Sequence, residues 1–293
     1  MTHPPTRSSA RSITRPSARS ATAPAGPRPG LRLAGPAAAA VALAFAATGA
    51  AAAPAPAEQP EPAAACTTDG FCEGFESQTG TEPSGRWATE FPDCSGTGTA
   101  SVDTSVAQEG TTSLRVDGGT GYCNHVFVGT DLADVDTTAG LYVRYYVRHT
   151  SALPTQHVTF LTMEDAADGS RDLRMGGQNA ALQWNRESDD ATLPEQSPAG
   201  VALSAPLPVD EWVCVEYEID PAAGHLTTWL NGEPVTGLAV DGTPTHDIDS
   251  QWLNRGDWHP DLVNLRFGWE SYGEGADTLW YDNIAVGTSR TGC

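Results

Sequence analysis

The chain has 293 residues, of which 37 are acidic and 16 are basic, and its formal net charge at pH 7 is −21. A surface of this charge repels nucleic-acid phosphates and anionic lipid headgroups, so we expect neither nucleic acid nor a membrane as a partner. An anionic polysaccharide would be repelled too, unless arginines gather at one place on the surface.

The N-terminal segment has the pattern of an export signal. Six arginines lie within residues 7–32, and the alanine-rich apolar run that follows ends in small residues at 51–53. This order predicts a secretory signal peptide with a long basic leader over residues 1–53. The Pro- and Ala-rich residues 54–65 predict a linker, and residues 66–293 predict one domain. We therefore expect a secreted, extracellular monomer.

Six cysteines in an exported chain indicate disulfides, because their spacing lacks the paired C-x-x-C pattern of thiolate metal sites. Their even number leaves no obligatory free thiol. Six cysteines allow about 15 connectivities, and the sequence favours only the pair Cys94 with Cys123 among them.

The sequence after the first hundred residues alternates apolar and polar residues with a period of two, the pattern of half-buried β-strands. Such alternation is found at residues 112–116, 141–147, 213–219 and 279–286. The dipeptide Asn231-Gly232 between two strand-like runs predicts a type I′ hairpin turn. These signals predict an all-β fold of two antiparallel sheets, a concanavalin-like β-sandwich or jelly roll.

Polar side chains suited to chemistry concentrate between residues 157 and 190. On a strand, Arg174 points away from its apolar neighbours in the sequence. If the glycine pair 176–177 bends that strand, Gln178 can rejoin the side of Arg174, and His157 can lie on an adjacent strand. Together they would bind a carboxylate and handle a proton. Alternatively, Arg174 forms a structural ion pair with a nearby aspartate and His157 only packs at a strand edge.

Several short segments resemble, in order and spacing, those of a known group of proteins. The segments are Phe71-Cys-Glu-Gly-Phe-Glu76, His157-Val-Thr-Phe, Leu173-Arg174-Met-Gly-Gly-Gln178, Trp184-Asn185, Trp212-Val-Cys-Val-Glu216 and Trp280-Tyr281-Asp282-Asn283-Ile284. They resemble the glucuronan-lyase-like jelly rolls, a polysaccharide-lyase-like family that includes cellulose-induced secreted proteins of biomass-degrading fungi and bacterial relatives. The likeness covers nearly all of residues 66–293.

The resemblance implies a catalytic cleft and a metal site. The cleft residues of the family fall on His157, Arg174, Gln178, Asp190 and Tyr272. Its structural calcium site falls on Glu76 and Asp282, with a backbone carbonyl from residues 108–113. Hard carboxylate oxygens favour Ca²⁺ over zinc, and the ion would join the first strand to the last if Glu76 and Asp282 lie on them. The alternative is a carboxylate pair without metal.

The reaction implied by the resemblance is β-elimination on a 4-linked uronan. Arg174 and Gln178 would neutralise the C6 carboxylate. His157, as a neutral imidazole with an ordinary pKa of roughly 6.5, or Tyr272 would remove the C5 proton. A tyrosine hydroxyl would protonate the departing O4. Asp190 would orient His157 or Arg174.

Two other functions compete with this interpretation. A non-catalytic carbohydrate-binding jelly roll would use exposed tryptophans for stacking, with Trp184, Trp252 and Trp258 as candidates. In either case we expect Trp184 and Asn185 to contact the polysaccharide. A retaining glycosidase would need two carboxylates about 5 Å apart. The acids at 216, 218 and 220 share a strand face, but the E-x-D-x-x-E pattern fails at Ala223.

Overall fold

The structure is a computed structural model that describes residues 69–293. The predicted signal peptide and linker, and Cys66, lie outside the described residues. The strands are β1 (Phe71–Glu73), β2 (Ala88–Glu90), β3 (Thr99–Asp103), β4 (Ser113–Gly118), β5 (Val126–Asp131), β6 (Leu141–His149), β7 (Val158–Asp165), β8 (Arg171–Gln178), β9 (Ala181–Arg186), β10 (Ala191–Leu193), β11 (Val213–Asp220), β12 (His225–Leu230), β13 (Glu233–Val240), β14 (Asn264–Ser271) and β15 (Asp277–Gly287). Two short helices, α1 (Pro198–Val201) and α2 (Ser250–Asn254), lie between them. No helix in this part of the chain is long and apolar enough to cross a membrane.

The strands form two antiparallel sheets. The first has the order β13-β12-β11-β6-β15-β4-β3, with β1 paired to β15, and the second has the order β10-β9-β8-β7-β14-β5-β2. Apolar side chains from both sheets share one core. The predicted all-β sandwich of the jelly-roll class is therefore confirmed.

Strands β8 and β9 show how the period-two pattern builds this core. Leu173 and Met175 of β8, and Leu182 and Trp184 of β9, are buried between the sheets. Full burial of a large apolar side chain contributes roughly 1.5–3 kcal/mol. The residues between them point to the opposite face of the sheet, where polar side chains are available to a ligand.

A bulge on β7 positions the polar residues of β8. Phe160 is the extra residue, because Thr159 pairs with Gly176 and the next pair joins Leu161 to Met175. The pairing of β8 with β9 runs without a shift as far as Gln178. The irregularity was expected at the glycine pair of β8, and its place on β7 is a correction.

The close approach of β7 explains why residue 176 is glycine. A Cβ at this position would lie 1.8 Å from the carbonyl oxygen of Val158 on β7, so a larger residue would push the two strands apart.

Two local predictions are confirmed. Asn231 and Gly232 connect β12 to β13 with φ values of 50° and 83°, as a type I′ turn requires. Cys94 is bonded to Cys123, and a second disulfide joins Cys214 to Cys293. No described cysteine is free.

Candidate functional site

A groove crosses the second sheet on the face opposite the core. Its volume is about 330 Å³. The lining side chains are His157, Arg174, Gln183, Asn185, Asp190, Thr192, Gln196 and Tyr272. We call this feature the groove. It brings together five of the residues that the sequence analysis selected, although they come from segments more than a hundred residues apart.

Strand register places polar side chains in a row across the groove. Arg174 of β8 pairs with Asn185 of β9, and Asn185 pairs with Thr192 of β10. Paired residues on neighbouring strands point to the same face, and each step between strands is about 4.8 Å. Gln183 lies two residues before Asn185 and therefore shares this face. The groove floor thus runs from a guanidinium to amides and a hydroxyl.

Arg174 is only 5% exposed, and its guanidinium is surrounded by a phenol and two acids. Nη1 donates a hydrogen bond to the Tyr272 hydroxyl at 2.8 Å. Nη2 lies 3.2 Å from Glu187 Oε1 and 3.7 Å from Glu270 Oε1. Nε is buried without a hydrogen-bond partner. The ion pair considered as an alternative is therefore present, with glutamates rather than an aspartate, and Arg174 still borders the groove.

His157 immediately precedes β7 and packs against Tyr272. The two ring centroids are 5.3 Å apart, and the Tyr272 backbone N–H donates to the His157 carbonyl at 3.3 Å. The Nε2 atom of His157 is buried without a hydrogen-bond partner. Burial, followed by the charge of Arg174, lowers the pKa of His157 to about 4. The imidazole is therefore unprotonated at neutral pH, and it is a weaker base than the ordinary value implied.

Tyr272 follows β14 and forms one end of the groove. Burial, followed by the carboxylate of Glu270, raises the pKa of Tyr272 well above its ordinary value, although Arg174 acts in the opposite direction. The hydroxyl therefore keeps its proton and can donate it. Tyr122 packs edge-on against Tyr272, with centroids 5.9 Å apart, and is 76% exposed. Together they continue the groove as an aromatic surface.

Gln178 and Asp190 lie at the rim. Gln178 ends β8 on the face of Arg174, but its amide is hydrogen-bonded to the amide of Gln196, which lines the groove. Asp190 is exposed and has a left-handed backbone with φ of 54°. No hydrogen bond joins Asp190 to His157 or Arg174 within the described residues. The expected role of Asp190 in orienting these side chains is therefore not supported by a direct contact.

Trp184 lies on the other side of the sheet. It is 0% exposed, its indole N–H donates to Thr228 Oγ1 at 2.9 Å, and its ring packs edge-on against Tyr217 at 5.1 Å. The expected contact between Trp184 and a polysaccharide is therefore corrected: strand alternation sends Asn185 into the groove and Trp184 into the core. Trp252 and Trp258 are buried as well.

The two carboxylates of the expected calcium site meet the same loop. Glu76 lies in a turn three residues after β1, not on the strand as expected, and Asp282 lies in β15. Asp282 Oδ2 accepts the backbone N–H of Gln108 at 2.8 Å, and Glu76 Oε1 accepts that of Thr111 at 2.8 Å. Because β1 pairs with β15, the loop contacts the first and the last strand regions of the domain at the same place.

The carboxylates of Glu76 and Asp282 are oxygen donors that a hard cation prefers, and in this structure they accept backbone N–H groups of the loop. Carboxylate, amide and carbonyl oxygens are the ligands that Ca²⁺ prefers. Burial, with a smaller contribution from the charge of Glu76, raises the pKa of Asp282 to about 6, so a cation would relieve a real electrostatic cost. The described residues contain no group of three or more His, Cys, Asp or Glu side chains placed to hold a metal, so backbone or amide oxygens would complete the set.

The acids of β11 lie on the other sheet and have structural partners. Glu216 Oε2 lies 2.7 Å from Arg290 Nη2, and Glu218 accepts a hydrogen bond from the Tyr142 hydroxyl at 2.5 Å. Neither lines the groove, which disfavours a glycosidase that uses them there.

Comparison with known proteins assigns the family. A polysaccharide-lyase-like family model, described as Cip1-like, core domain, matches residues 74–289. The chain belongs to this Cip1-like family. A solved structure of the cellulose-induced protein Cip1 is 41% identical, with a TM-score of 0.70, over 76% of this chain and 99% of that chain. The endo-β-1,4-glucuronan lyase from the fungus Trichoderma reesei is 16% identical, with a TM-score of 0.46, over 76% and 96%. No curated protein sequence matches.

The sequence analysis missed three residues that support the groove of this Cip1-like chain. Glu270 is 2% exposed and its Oε1 lies 3.6 Å from His125 Nε2. The His125 Nδ1 atom lies 2.8 Å from the Pro92 carbonyl, so Nδ1 carries a proton and Nε2 faces the carboxylate. Glu187 completes the set beside Arg174. Only Glu270 had a usable signal, because it lies two residues before Tyr272 and so shares its face.

Proposed function

We propose that this Cip1-like chain is a secreted polysaccharide lyase that cleaves a 4-linked uronan by β-elimination in the groove. The observation that carries the proposal is the cluster of Arg174, Tyr272 and His157: a guanidinium 2.8 Å from a phenol whose ring lies 5.3 Å from an imidazole. Elimination needs a group that neutralises charge, an acid and a base within reach of one sugar, and this cluster supplies all three.

Arg174 would bind the C6 carboxylate of the uronate. As the C5 proton leaves, negative charge spreads into this carboxyl group, and a nearly buried guanidinium stabilises that charge more than water would. Gln178, if it exchanges Gln196 for the substrate, would add an amide donor at the rim. Asn185 and Asp190 would contact the neighbouring hydroxyl groups of the sugar chain.

His157 would act as the base and Tyr272 as the acid. The His157 imidazole is unprotonated above pH 4 or so, since its pKa is about 4, and its buried Nε2 has no competing donor. The C5 proton goes to His157, the C5–H electron pair becomes the C4–C5 double bond, and the C4–O4 bond breaks. The Tyr272 proton goes to O4, and the resulting phenolate lies beside the Arg174 guanidinium. Elimination therefore needs no added water.

The experiment that tests this function identifies the product. The purified protein is incubated with glucuronan, alginate and pectate, and absorbance of the unsaturated uronate is followed. Mass spectrometry then distinguishes elimination, which leaves the summed mass of the fragments unchanged, from hydrolysis, which adds one water. Fragments that all carry added water would overturn the lyase proposal.

A non-catalytic binding role is the second candidate, and Tyr122 favours it. This tyrosine is 76% exposed beside Tyr272, and exposed aromatic rings are the usual stacking surface for sugars. If no polymer yields the chromophore while an insoluble polysaccharide retains the wild type and releases the Tyr122→Ala variant, binding alone is the function.

We also propose that Ca²⁺ binds at Glu76 and Asp282 and stabilises the junction of the first and last strands. Binding to the folded state alone raises stability in proportion to the logarithm of the free ion concentration. Added Ca²⁺ should therefore raise Tm, and a chelator should lower it. The double variant Glu76→Gln, Asp282→Asn should lose this response, and an equal response in the variant would contradict the site.

A further inference from the structure

We infer that the groove prefers a polysaccharide backbone in which a single uronate lies between uncharged sugars over a homopolymer of uronates. This inference rests on the proposed function and specifies its substrate class. It follows from the distribution of charge around Arg174 and from the kind of side chain on each side of it.

Positive charge in the groove is confined to one point. Arg174 is the only arginine among the described lining residues, and two carboxylates, from Glu187 and Glu270, already lie within 3.7 Å of it. Asp190 adds a third carboxylate at the rim. His157 contributes no positive charge near neutrality because its pKa is lowered to about 4 by burial and by Arg174. The groove can therefore compensate one substrate carboxylate at most.

Apart from Asp190 at the rim, the side of the groove toward β10 is uncharged and offers hydrogen bonds. Gln183 donates to the Pro194 carbonyl at 3.0 Å, while its Oε1 is buried without a partner. Thr192 donates to Gln251 Oε1 at 3.2 Å. Amides and hydroxyls fixed in this way match the hydroxyl and acetamido groups of a neutral sugar, and they offer no compensation to a second carboxylate.

The side toward β14 is aromatic. Tyr272 and Tyr122 form a continuous edge-to-face pair at this end. An aromatic face binds the C–H face of a sugar ring, and it gives no favourable interaction to a carboxylate. Neither side of Arg174 therefore carries a positive charge that could compensate a second carboxylate.

The spacing of the strands determines which sugar of the substrate lies over each part of the groove. Each step across the sheet is about 4.8 Å, close to the length of one sugar unit in an extended chain. With a uronate over Arg174, the next sugar lies over Asn185 and near Asp190. A carboxylate at that position would lie beside the carboxylate of Asp190, and the two like charges would repel each other.

Binding and cleavage of two defined oligosaccharides test the inference. One is a β-1,4-linked oligoglucuronate, and the other alternates 4-linked glucuronate with 4-linked N-acetylglucosamine at equal length. Calorimetry at low salt should give a Kd about tenfold lower for the alternating chain, and kcat/KM should show the same preference. Equal or tighter binding of the homopolymer would overturn the inference.

A charge variant separates this specificity from other causes. Asp190→Asn removes the rim carboxylate and should lower the Kd for the homopolymer about tenfold, thus narrowing the preference. Glu233→Gln, an exposed position on β13 of the other sheet, makes the same change in net charge and should leave the preference as it is. Equal effects of the two variants would overturn the inference.

The binding measurement tests the substrate class separately from the cleavage assay, which tests the lyase proposal. If the alternating chain binds more tightly but neither chain is cleaved, the lyase proposal fails and the substrate class stands. If both are cleaved and the homopolymer is preferred, the lyase proposal stands and the substrate class fails.

Discussion

The guanidinium of Arg174 donates a hydrogen bond of 2.8 Å to the hydroxyl of Tyr272, although 98 residues separate them in the chain. Arg174 lies on β8 and Tyr272 follows β14, with β7 between these strands in the sheet. The tyrosine oxygen accepts this bond, and the same hydroxyl is hydrogen-bonded to the carboxylate of Glu270. In the proposed reaction, Tyr272 donates a proton to the leaving oxygen and Arg174 stabilises the phenolate that forms.

Removal of the Tyr272 hydroxyl should affect the rate more than binding. Tyr272→Phe keeps the ring beside His157, so we expect kcat to fall by about 10²–10⁴ while KM changes much less. Tyr122→Phe is the matched control, since it keeps the aromatic surface and should retain the rate. Both values come from initial rates of unsaturated-uronate formation. A Tyr272→Phe variant with wild-type kcat would exclude Tyr272 as the acid.

The acid limb of the pH profile should report His157. The pKa of His157 is about 4, so the base form dominates above that pH, and kcat/KM should fall as pH decreases through about 4. A methyl-esterified uronan does not titrate and separates this limb from ionisation of the substrate. An acid limb near the ordinary histidine value of roughly 6.5 would show that the groove leaves His157 unperturbed.

Glu270 should weaken the binding of a uronate carboxylate by Arg174. Its carboxylate lies 3.7 Å from Nη2, so Glu270→Gln removes one of the charges that compete with the substrate. We expect KM for a uronan to fall severalfold, and kcat to change as well because Glu270 raises the pKa of Tyr272. Glu233→Gln on β13 is the matched control. An unchanged KM together with an unchanged pH profile would limit Glu270 to a packing role.

A buried ion pair on the first sheet should make stability depend on pH. His149 is fully buried, with Nδ1 2.9 Å from Asp277 Oδ2 and Nε2 3.1 Å from the Leu207 carbonyl. Both ring nitrogens face acceptors. Burial opposes the charged form, but Asp277 and the Leu207 carbonyl outweigh it and raise the pKa of His149.

The sign of the dependence follows from that raised pKa. The stabilisation is fully present below the unfolded pKa of roughly 6.5 and is lost as pH rises through the higher folded value. Asp277→Asn should lower the free energy of unfolding by about 3–5 kcal/mol near pH 5 and by less at alkaline pH. Urea unfolding at several pH values measures the difference. A difference that grows with pH would contradict the assignment.

Much of the fold could be predicted because it depends on short-range patterns. Alternation placed β6, β11 and β15 within a few residues, and the Asn231-Gly232 turn needs only two residues that accept positive φ. The same alternation placed Arg174 on the face away from its apolar neighbours, and it extends to Gln178 without the bend that was expected at the glycine pair 176–177. Alternation also shows that the neighbours Trp184 and Asn185 cannot both face the groove, so the expectation that both contact the polysaccharide was wrong: Asn185 lines the groove and Trp184 lies in the core.

The contacts that tune the site could not be predicted in this way. Whether Glu270 lies beside Arg174 depends on the order of β8, β7 and β14 and on a bulge at Phe160. Neither feature can be recognised from the sequence of β14. The lowered pKa of His157 likewise arises from burial by segments distant in the chain. The signal peptide, the linker and the calcium ion stay predictions.

Comparison of Arg174→Ala with Arg148→Ala tests the central claim most directly. Both variants remove one arginine charge, but Arg148 lies on β6 of the other sheet beside Asp210. On a uronan that the wild type cleaves, Arg174→Ala should reduce the formation of unsaturated uronate by at least about 10²-fold, and Arg148→Ala should retain the wild-type rate. A folded Arg174→Ala variant that still forms the product at the wild-type rate would contradict the account.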